Sequence, residues 1–212
     1  MAQNTSQIAL PLRTAASAET IVTGPSLAPV IAALGAARDW PFRAAVLTGP
    51  PRSGKSLIAR WFVQSGMGDA LDDADSLPED AVFHRWNRAQ AEDRALLMVR
   101  NGTAGAWRPA LPDLASRLGA ALLIEIGAPD DALLRALIAD HAARRGLALG
   151  EGVLDYLMPR IERSHAAAEA TVETIDRLSL ERKAAVTISL VRDALTERVH
   201  GVHGGELQPR LL

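Results

Sequence analysis

The stretch GPPRSGKS (49–56) decides the fold expected for this 212-residue chain. It fits the pattern G-x-x-x-x-G-K-S/T and lies between an apolar run, FRAAVLTG (42–49), and a helical pattern, SLIARWFVQSG (56–66). A glycine-rich loop between a strand and a helix directs backbone N–H groups and the helix N-terminus toward phosphate oxygens. The stretch therefore predicts a P-loop that binds a nucleotide.

The loop residues have separate parts in this prediction. Of the 23 basic residues only Lys55 and Lys183 are lysines, so a compact ammonium group has been kept in the loop of an arginine-rich chain. Lys55 is placed to reach the β and γ phosphates, and the hydroxyl of Ser56 can coordinate Mg²⁺. The predicted nucleotide-binding residues of the loop are Gly49, Pro50, Pro51, Arg52, Ser53, Gly54, Lys55 and Ser56. The alternative is a Gly-Pro turn without a ligand.

A P-loop ATPase also needs an acid at the end of a second strand, to hold the water shell of Mg²⁺ and to orient attack. The segment GDALDDAD (68–75) could hold one short strand that ends in Asp72 and Asp73, the candidate catalytic acids. Asp72 would serve the Mg²⁺ ion together with Ser56. Because little of this strand is hydrophobic, the alternative is a solvated acidic turn.

Strand-like and helical segments alternate through the first part of the chain. RALLMV (94–99) and AALLIEIG (120–127) are apolar runs of strand length, and helical patterns at 26–40 and 76–90 have Ser26 and Ser76 as expected N-caps. This alternation predicts an α/β sandwich with a parallel sheet.

From Pro129 onward the patterns are helical only, and Pro159 is expected to end one helix and start the next. The predicted organisation is a flexible tail at 1–20, an αβα core at 21–127, a helical domain at 128–200 and a loose tail at 201–212.

The bulk composition excludes several classes of function. A formal net charge of −2 provides no broad basic surface for autonomous binding to nucleic acid. There is no cysteine for a disulfide framework, and there is neither a signal peptide nor an apolar run long enough to span a membrane. The chain is expected to be cytoplasmic, with no membrane partner.

The peptide QIALPLR (7–13) lies in a sequence with little else to fold. Pro11 has no N–H and disfavours helix geometry in the residue before it, so the peptide prefers an extended conformation. A leading glutamine with spaced aliphatic residues suits insertion into a hydrophobic groove of a partner. The alternative is that Ile8, Leu10 and Leu12 pack on the chain's own core.

Taken together, these segments resemble the DnaA branch of the AAA+ ATPases, most closely the Hda/HdaA proteins, regulatory inactivators of the replication initiator DnaA. GPPRSGKS is similar to the Walker A loop, ALDDAD to Walker B, and LPDLASRL (111–118) to box VII. FHRWN resembles the segment after Walker B that ends in an asparagine, here Asn87, and RIERSHAAAEA resembles the sensor 2 helix. The family's DNA-binding domain would follow where this sequence ends, which favours Hda over an initiator.

The resemblance implies an AAA+ αβα core followed by a helical lid, with ADP or ATP and Mg²⁺ as cofactors. It implies that Arg117 of box VII acts in trans on ATP held by DnaA, and that Arg163 is the sensor 2 arginine, with Ala166 or Arg160 as alternatives. Ile21 and Val22 would form an apolar wall beside the adenine. An ion pair with Asp113 is the structural alternative for Arg117.

The opening peptide resembles the family's sliding-clamp-binding peptide, with Gln7, Ile8, Leu10, Pro11 and Leu12 in matching places. The implied partners are the polymerase sliding clamp and DnaA, with DNA reached only through the clamp and a homo-oligomer allowed.

Two departures from the family pattern carry expectations of their own. Only 17 positions separate Lys55 from Asp72, so the sheet should be smaller than in a full AAA+ core. The polar sensor 1 position falls near Val99, with Asn101 and Thr103 as substitutes, so self-hydrolysis should be slow or absent. The competing functions are an autonomous P-loop ATPase and a clamp-binding module with a degenerate nucleotide site.

Overall fold

A computed structural model describes residues 21–102 and 107–203, although not the side chains of 199–203. The chain divides into two units, of which the first ends at Ala128 and the second begins at Pro129. In the described part of the chain, no helix is both long enough and apolar enough to cross a membrane.

The first unit is built on a sheet of four parallel strands in the order β2-β3-β1-β4. The strands are β1 (Ala44–Thr48), β2 (Asp69–Leu71), β3 (Leu96–Val99) and β4 (Leu122–Glu125). Val46 of β1 pairs with Met98 on one side and with Leu123 on the other. Strands β1 and β3 are apolar at almost every position because both of their faces are buried, as in other helix-covered parallel sheets.

Four helices accompany this sheet: α1 (Ala28–Gly35), α2 (Lys55–Gln64), α3 (Glu79–Ala91) and α4 (Pro112–Ala120). On one face, Val46 and Met98 form a core with Trp86 of α3 and Leu114 of α4. Leu47 and Leu97 alternate with those strand residues and are also fully buried, so both faces are covered. The predicted αβα sandwich with a reduced parallel sheet is confirmed.

The second unit contains α5 (Asp131–Arg144), α6 (Glu151–Leu157), α7 (His165–Arg182) and α8 (Ile188–His203). Leu134 and Ile138 of α5, Val172 and Ile175 of α7 and Val191 of α8 belong to one buried core. The expectation of an all-helical second domain is therefore also confirmed.

Several expectations about helix ends are wrong. Ser26 lies within a 3₁₀ turn, Pro25–Leu27, and the N-cap of α1 is Leu27. Ser76 closes a second 3₁₀ turn, and Pro78 is the N-cap of α3. Pro159 lies in a 3₁₀ turn, Met158–Arg160, rather than at the start of α7, whose N-cap is Ser164. Each proline fixes its own φ and restricts the preceding residue, which moves the helix start along the chain.

The predicted tail at 201–212 begins within α8, which continues to His203. Residues 204–212 lie outside the described part of the chain.

Candidate functional site

The geometry of the P-loop accounts for its two glycines. Gly54 is the N-cap of α2 and has φ of 81°, a left-handed conformation that favours glycine. A Cβ on Gly49 would lie 2.8 Å from Cβ of Ile126 and 3.0 Å from the carbonyl oxygen of the same residue. Close packing therefore requires glycine at position 49, and glycine at position 54 avoids backbone strain where α2 begins.

The side chain of Lys55 is folded into this loop. Lys55 is 5% exposed, and its Nζ donates hydrogen bonds to the carbonyl oxygens of Gly49 at 3.0 Å and Pro50 at 2.9 Å. Burial lowers the pKa of Lys55, while the carboxylates of Asp72, Asp75 and Asp73, in that order, act to raise it. The ammonium group is thus held beside the loop backbone and within the field of the acidic turn.

Ser53 provides the test of whether this loop fits a phosphate group. Its side chain is buried, and among the described residues its Oγ has no hydrogen-bond partner. Buried hydroxyl groups in native proteins nearly always have a partner, so an orphaned one beside a glycine loop and a helix N-terminus indicates a site for an acceptor. The residues present therefore fit the phosphates of a nucleotide.

The acidic turn follows β2 directly. Asp72 and Asp73 come immediately after the strand, both are exposed, and Asp72 Oδ1 accepts the N–H of Asp73 at 3.1 Å. The two carboxylates lie at the end of a strand, as candidate catalytic acids would, and also on a solvated turn. This geometry agrees with both interpretations of the sequence. Asp73 has φ of 50°, which turns the chain away from the strand.

A further carboxylate, which no sequence pattern indicated, links this turn to the end of β3. Asp75 accepts the N–H groups of Asn101 at 3.1 Å and Gly102 at 2.8 Å, and Arg100 Nε lies 3.7 Å away. The side-chain amide of Asn101 also donates to Asp73 Oδ1 at 2.5 Å. One of the two substitutes for sensor 1 therefore contacts a candidate catalytic acid, whereas Thr103 lies outside the described residues.

Arg117 lies on α4 and makes its contacts with α3. Its Nη1 donates to Oδ1 of Asn87, and its guanidinium carbon lies 4.2 Å from the centre of the Phe83 ring. In the described part of the chain it makes no ion pair with Asp113, so the structural alternative is wrong. An amide and a ring face hold the guanidinium group without neutralising its charge.

The N-terminus of α4 is fixed by Glu79, the first residue of α3. The two carboxylate oxygens of Glu79 accept the N–H groups of Ala110 at 2.8 Å and Leu111 at 2.7 Å. An acceptor with a negative charge suits the end of a helix where N–H groups lack partners. Glu79 therefore holds the start of the segment that presents Arg117, and Asn87 holds the Arg117 side chain.

In the second unit, Arg163 is already paired. It donates to Asp131 through Nε at 2.7 Å and Nη2 at 3.3 Å, and this hydrogen bond lowers the pKa of the Asp131 carboxyl. Arg160 instead donates to the carbonyl of Tyr156 and lies over its ring. Both arginines are exposed, and Ala166, the other alternative, is exposed as well.

The remaining predicted residues are less informative. Ile21 is buried and Val22 is half-buried at the start of the described chain. The predicted clamp-binding residues lie outside the described part; they are Gln7, Ile8, Leu10, Pro11 and Leu12.

Both units are similar to known proteins. Residues 130–195 match a family model described as the lid domain of Hda. Domain III of the Thermotoga maritima replication initiation protein DnaA is similar in structure, with a TM-score of 0.66 and 12% identity over 84% of this chain and 94% of that one.

Two further structures are similar. AMPPCP-bound DnaA from Aquifex aeolicus has a TM-score of 0.54 and 16% identity over 77% of this chain, which spans just under two thirds of that one, 66%. The Thermotoga maritima RuvB branch migration motor has a TM-score of 0.56 and 14% identity over 81% of this chain and 67% of that one. Identities this low show the fold alone; with the lid-domain match, they confirm the predicted resemblance to the Hda/DnaA branch of AAA+ proteins.

Proposed function

We propose that this chain, which joins an Hda-type lid domain to a DnaA-like AAA+ fold, stimulates hydrolysis of ATP bound to DnaA and thereby limits replication initiation. The observation that carries the proposal is the state of Arg117. Its guanidinium group is held at the surface by the Asn87 amide and the Phe83 ring, and no carboxylate among the described residues pairs with it. To reach a phosphate on a partner, Arg117 would break one hydrogen bond to a neutral amide rather than an ion pair.

An arginine supplied by a partner acts by stabilising the negative charge that develops on the transferred phosphoryl group. Such a residue raises the hydrolysis rate by about 10³ to 10⁵ in P-loop enzymes. Arg117 would supply that group in trans, and DnaA would supply the ATP.

The P-loop of the chain itself would hold ADP or ATP with Mg²⁺. Lys55 and the backbone N–H groups of the loop would bind the phosphates, with the Ser56 hydroxyl and Asp72 serving the Mg²⁺ ion. Ile21 and Val22 would line the adenine, Arg163 would leave Asp131 to reach the nucleotide, and Asp73 would remain bonded to Asn101. This nucleotide stabilises the fold, with at most weak turnover of its own.

The peptide at Gln7, Ile8, Leu10, Pro11 and Leu12 would bind the sliding clamp in an extended conformation. The clamp then brings the chain to DNA in the cytoplasm, which agrees with a net charge of −2 and no broad basic surface. A homo-oligomer is compatible with this arrangement.

The test is the rate at which DnaA-bound ATP turns over with clamp-loaded DNA and this protein. We expect a rise of at least tenfold, and an unchanged rate would contradict the proposal. Rapid ATP turnover by the purified chain alone would instead identify an autonomous ATPase. Failure to bind ADP or ATP in calorimetry, with clamp binding intact, would identify an interaction module.

Clamp binding has its own test. The double variant Gln7→Ala with Leu10→Ala should lose clamp binding and keep nucleotide binding. Retained clamp affinity in that variant would favour the alternative, in which QIALPLR packs on the chain's own core.

A further inference from the structure

The 3₁₀ turn Pro41–Arg43 presents an aromatic side chain to solvent from a strained backbone. Phe42 has φ of 50° and ψ of 22°, and the next residue, Arg43, has φ of 47°. Positive φ is rare for residues with bulky side chains and clusters at functional positions. Phe42 is nevertheless 63% exposed, so packing in the core does not account for an aromatic residue where glycine would fit better.

The turn is tied to the rest of the unit on both sides of Phe42. The indole of Trp40 donates to the carbonyl of Ala33 at 2.7 Å and stacks on Phe62, with ring centres 5.4 Å apart. Arg43 Nη1 lies 2.7 Å from the carbonyl oxygen of Asp93 and 2.8 Å from its carboxylate. The backbone that carries the exposed ring is therefore held in one place, which lowers the entropic cost of using the ring in a contact.

The surface beside Phe42 carries charges of both signs. Two adjoining cavities, of about 290 and 630 Å³, are both lined by Arg38, Arg43, Asp93 and Arg94. Arg43 pairs with Asp93, and Arg94 pairs with Asp69 at 2.7 Å, so the two arginines bring ion pairs to this shared rim. Aromatic and arginine side chains are the types enriched where protein interfaces bind most strongly. The surface fits a protein partner that offers an apolar recess with a polar border.

One face of α3 connects this turn to Arg117. Gln90 of α3 donates to the carbonyl oxygen of Phe42 at 2.5 Å, and Asn87, one turn earlier, holds Arg117. Asn87 and Gln90 are separated by three residues, or about 4.5 Å along the helix axis, and lie on the same face. The protein that receives Arg117 therefore also meets the side of α3 on which Phe42 is fixed.

We infer that Phe42 is a second anchor for the same DnaA molecule that receives Arg117, with Arg38 and the Arg43–Asp93 ion pair as its polar border. This rests on the proposed function, because the identity of the partner comes from it. Phe42 supplies affinity and orientation, and Arg117 supplies charge to the reacting phosphate.

A photocrosslinking experiment tests the contact without relying on hydrolysis. The full chain carrying Phe42→p-benzoylphenylalanine is irradiated with ATP-bound DnaA, the clamp and DNA. We expect a crosslink to DnaA, and none when the same group replaces Val63, an exposed residue of α2. A crosslink to the clamp or to a second copy of this chain, or no crosslink, would overturn the inference. A crosslink without stimulated hydrolysis would contradict the proposed activity but not the contact.

Substitutions at the same position provide the functional readout. Phe42→Gly fits the left-handed backbone, so its melting temperature should equal or exceed that of the wild type, while stimulation of DnaA falls at least tenfold. Phe42→Tyr keeps the ring and should retain stimulation, as should the control Val63→Ala. Full stimulation by Phe42→Gly would refute the role of the ring.

Discussion

The P-loop residues and Asp75 differ in how far the sequence could identify them. The P-loop could be predicted because it is local: Lys55 bonds to carbonyls five and six residues away, within the same quoted stretch. Asp75 could not, because Asn101 and Gly102 lie 26 and 27 residues further along and come near only when β2 pairs with β3. Asp75 has no sequence signal beyond its place in an acidic run.

Lys55→Met should weaken binding of ADP or ATP with Mg²⁺ by roughly tenfold to a hundredfold, as expected when one or two charge-assisted hydrogen bonds worth about 1.5–3 kcal/mol are lost. Calorimetric titration of the full chain would measure this. Lys183→Met, at the only other lysine, is the matched control and should bind as the wild type does. Equal affinities for the two variants would exclude Lys55 as a phosphate ligand.

Asp75→Ala should lower the free energy of unfolding by about 1–3 kcal/mol, because the N–H groups of Asn101 and Gly102 lose their acceptor. Gly102→Ala should act through the same contact, since a Cβ there would lie 2.6 Å from Asp75 Oδ2. Urea denaturation of both single variants and the double variant measures the coupling. Strictly additive effects would show that the two positions are independent.

Among the elements, strands and helices could be predicted more reliably than their ends. The apolar run before GPPRSGKS and the helical period after it appear as β1 and α2. The caps at Ser26 and Ser76 were wrong because neighbouring prolines set the backbone instead. The segment LPDLASRL does form α4, but the sequence could not show that its N-terminus is held by Glu79, a residue of another helix.

Glu79→Ala should lower the free energy of unfolding by about 1–2 kcal/mol, through loss of the acceptor for two N–H groups at the start of α4. Asp80→Ala, at the next and exposed acid of α3, is the control and should change stability by less than about 0.5 kcal/mol. Denaturant unfolding of the full chain compares them. Equal losses of stability in the two variants would mean that the hydrogen bonds accepted by Glu79 add no stability of their own.

The helix α5 carries a pH-dependent group. Burial lowers the pKa of His141 from 6.5, the carboxylates of Glu169 and Asp140 act to raise it, and the two arginines that end α5 act to lower it. As the pH falls, the imidazole of His141 is therefore protonated in the unfolded chain before it is protonated in the folded chain. The contribution of neutral His141 to the free energy of unfolding is complete above pH 6.5 and is lost as the pH falls through the lowered pKa. Thermal melts between pH 7.5 and 5.5 should show a smaller decrease for His141→Gln than for the wild type. An identical pH dependence in the two proteins would contradict this account.

For the molecule as a whole, the reduced sheet followed from spacing. With only 17 positions between Lys55 and Asp72 there is no room for another strand and helix, and the described residues form a sheet of four strands. Parallel pairing could be predicted because fully apolar strands such as LLMV are buried on both faces. The order of the strands depends on how the crossover helices pack, which no single stretch of sequence specifies. The same holds for the contacts of Arg117 with Asn87 and Phe83.

The central claim is that Arg117 acts on ATP held by DnaA. The most direct measurement is single-turnover hydrolysis of ATP bound to DnaA, with clamp-loaded DNA and either wild type, Arg117→Ala, Arg117→Lys or the control Arg192→Ala, an exposed arginine of α8. We predict full stimulation by wild type and Arg192→Ala, and a return to the unstimulated rate, a loss of at least tenfold, for Arg117→Ala. Arg117→Lys should recover little, because an ammonium group does not reproduce the guanidinium fork. Stimulation by Arg117→Ala equal to that of the wild type would contradict the claim.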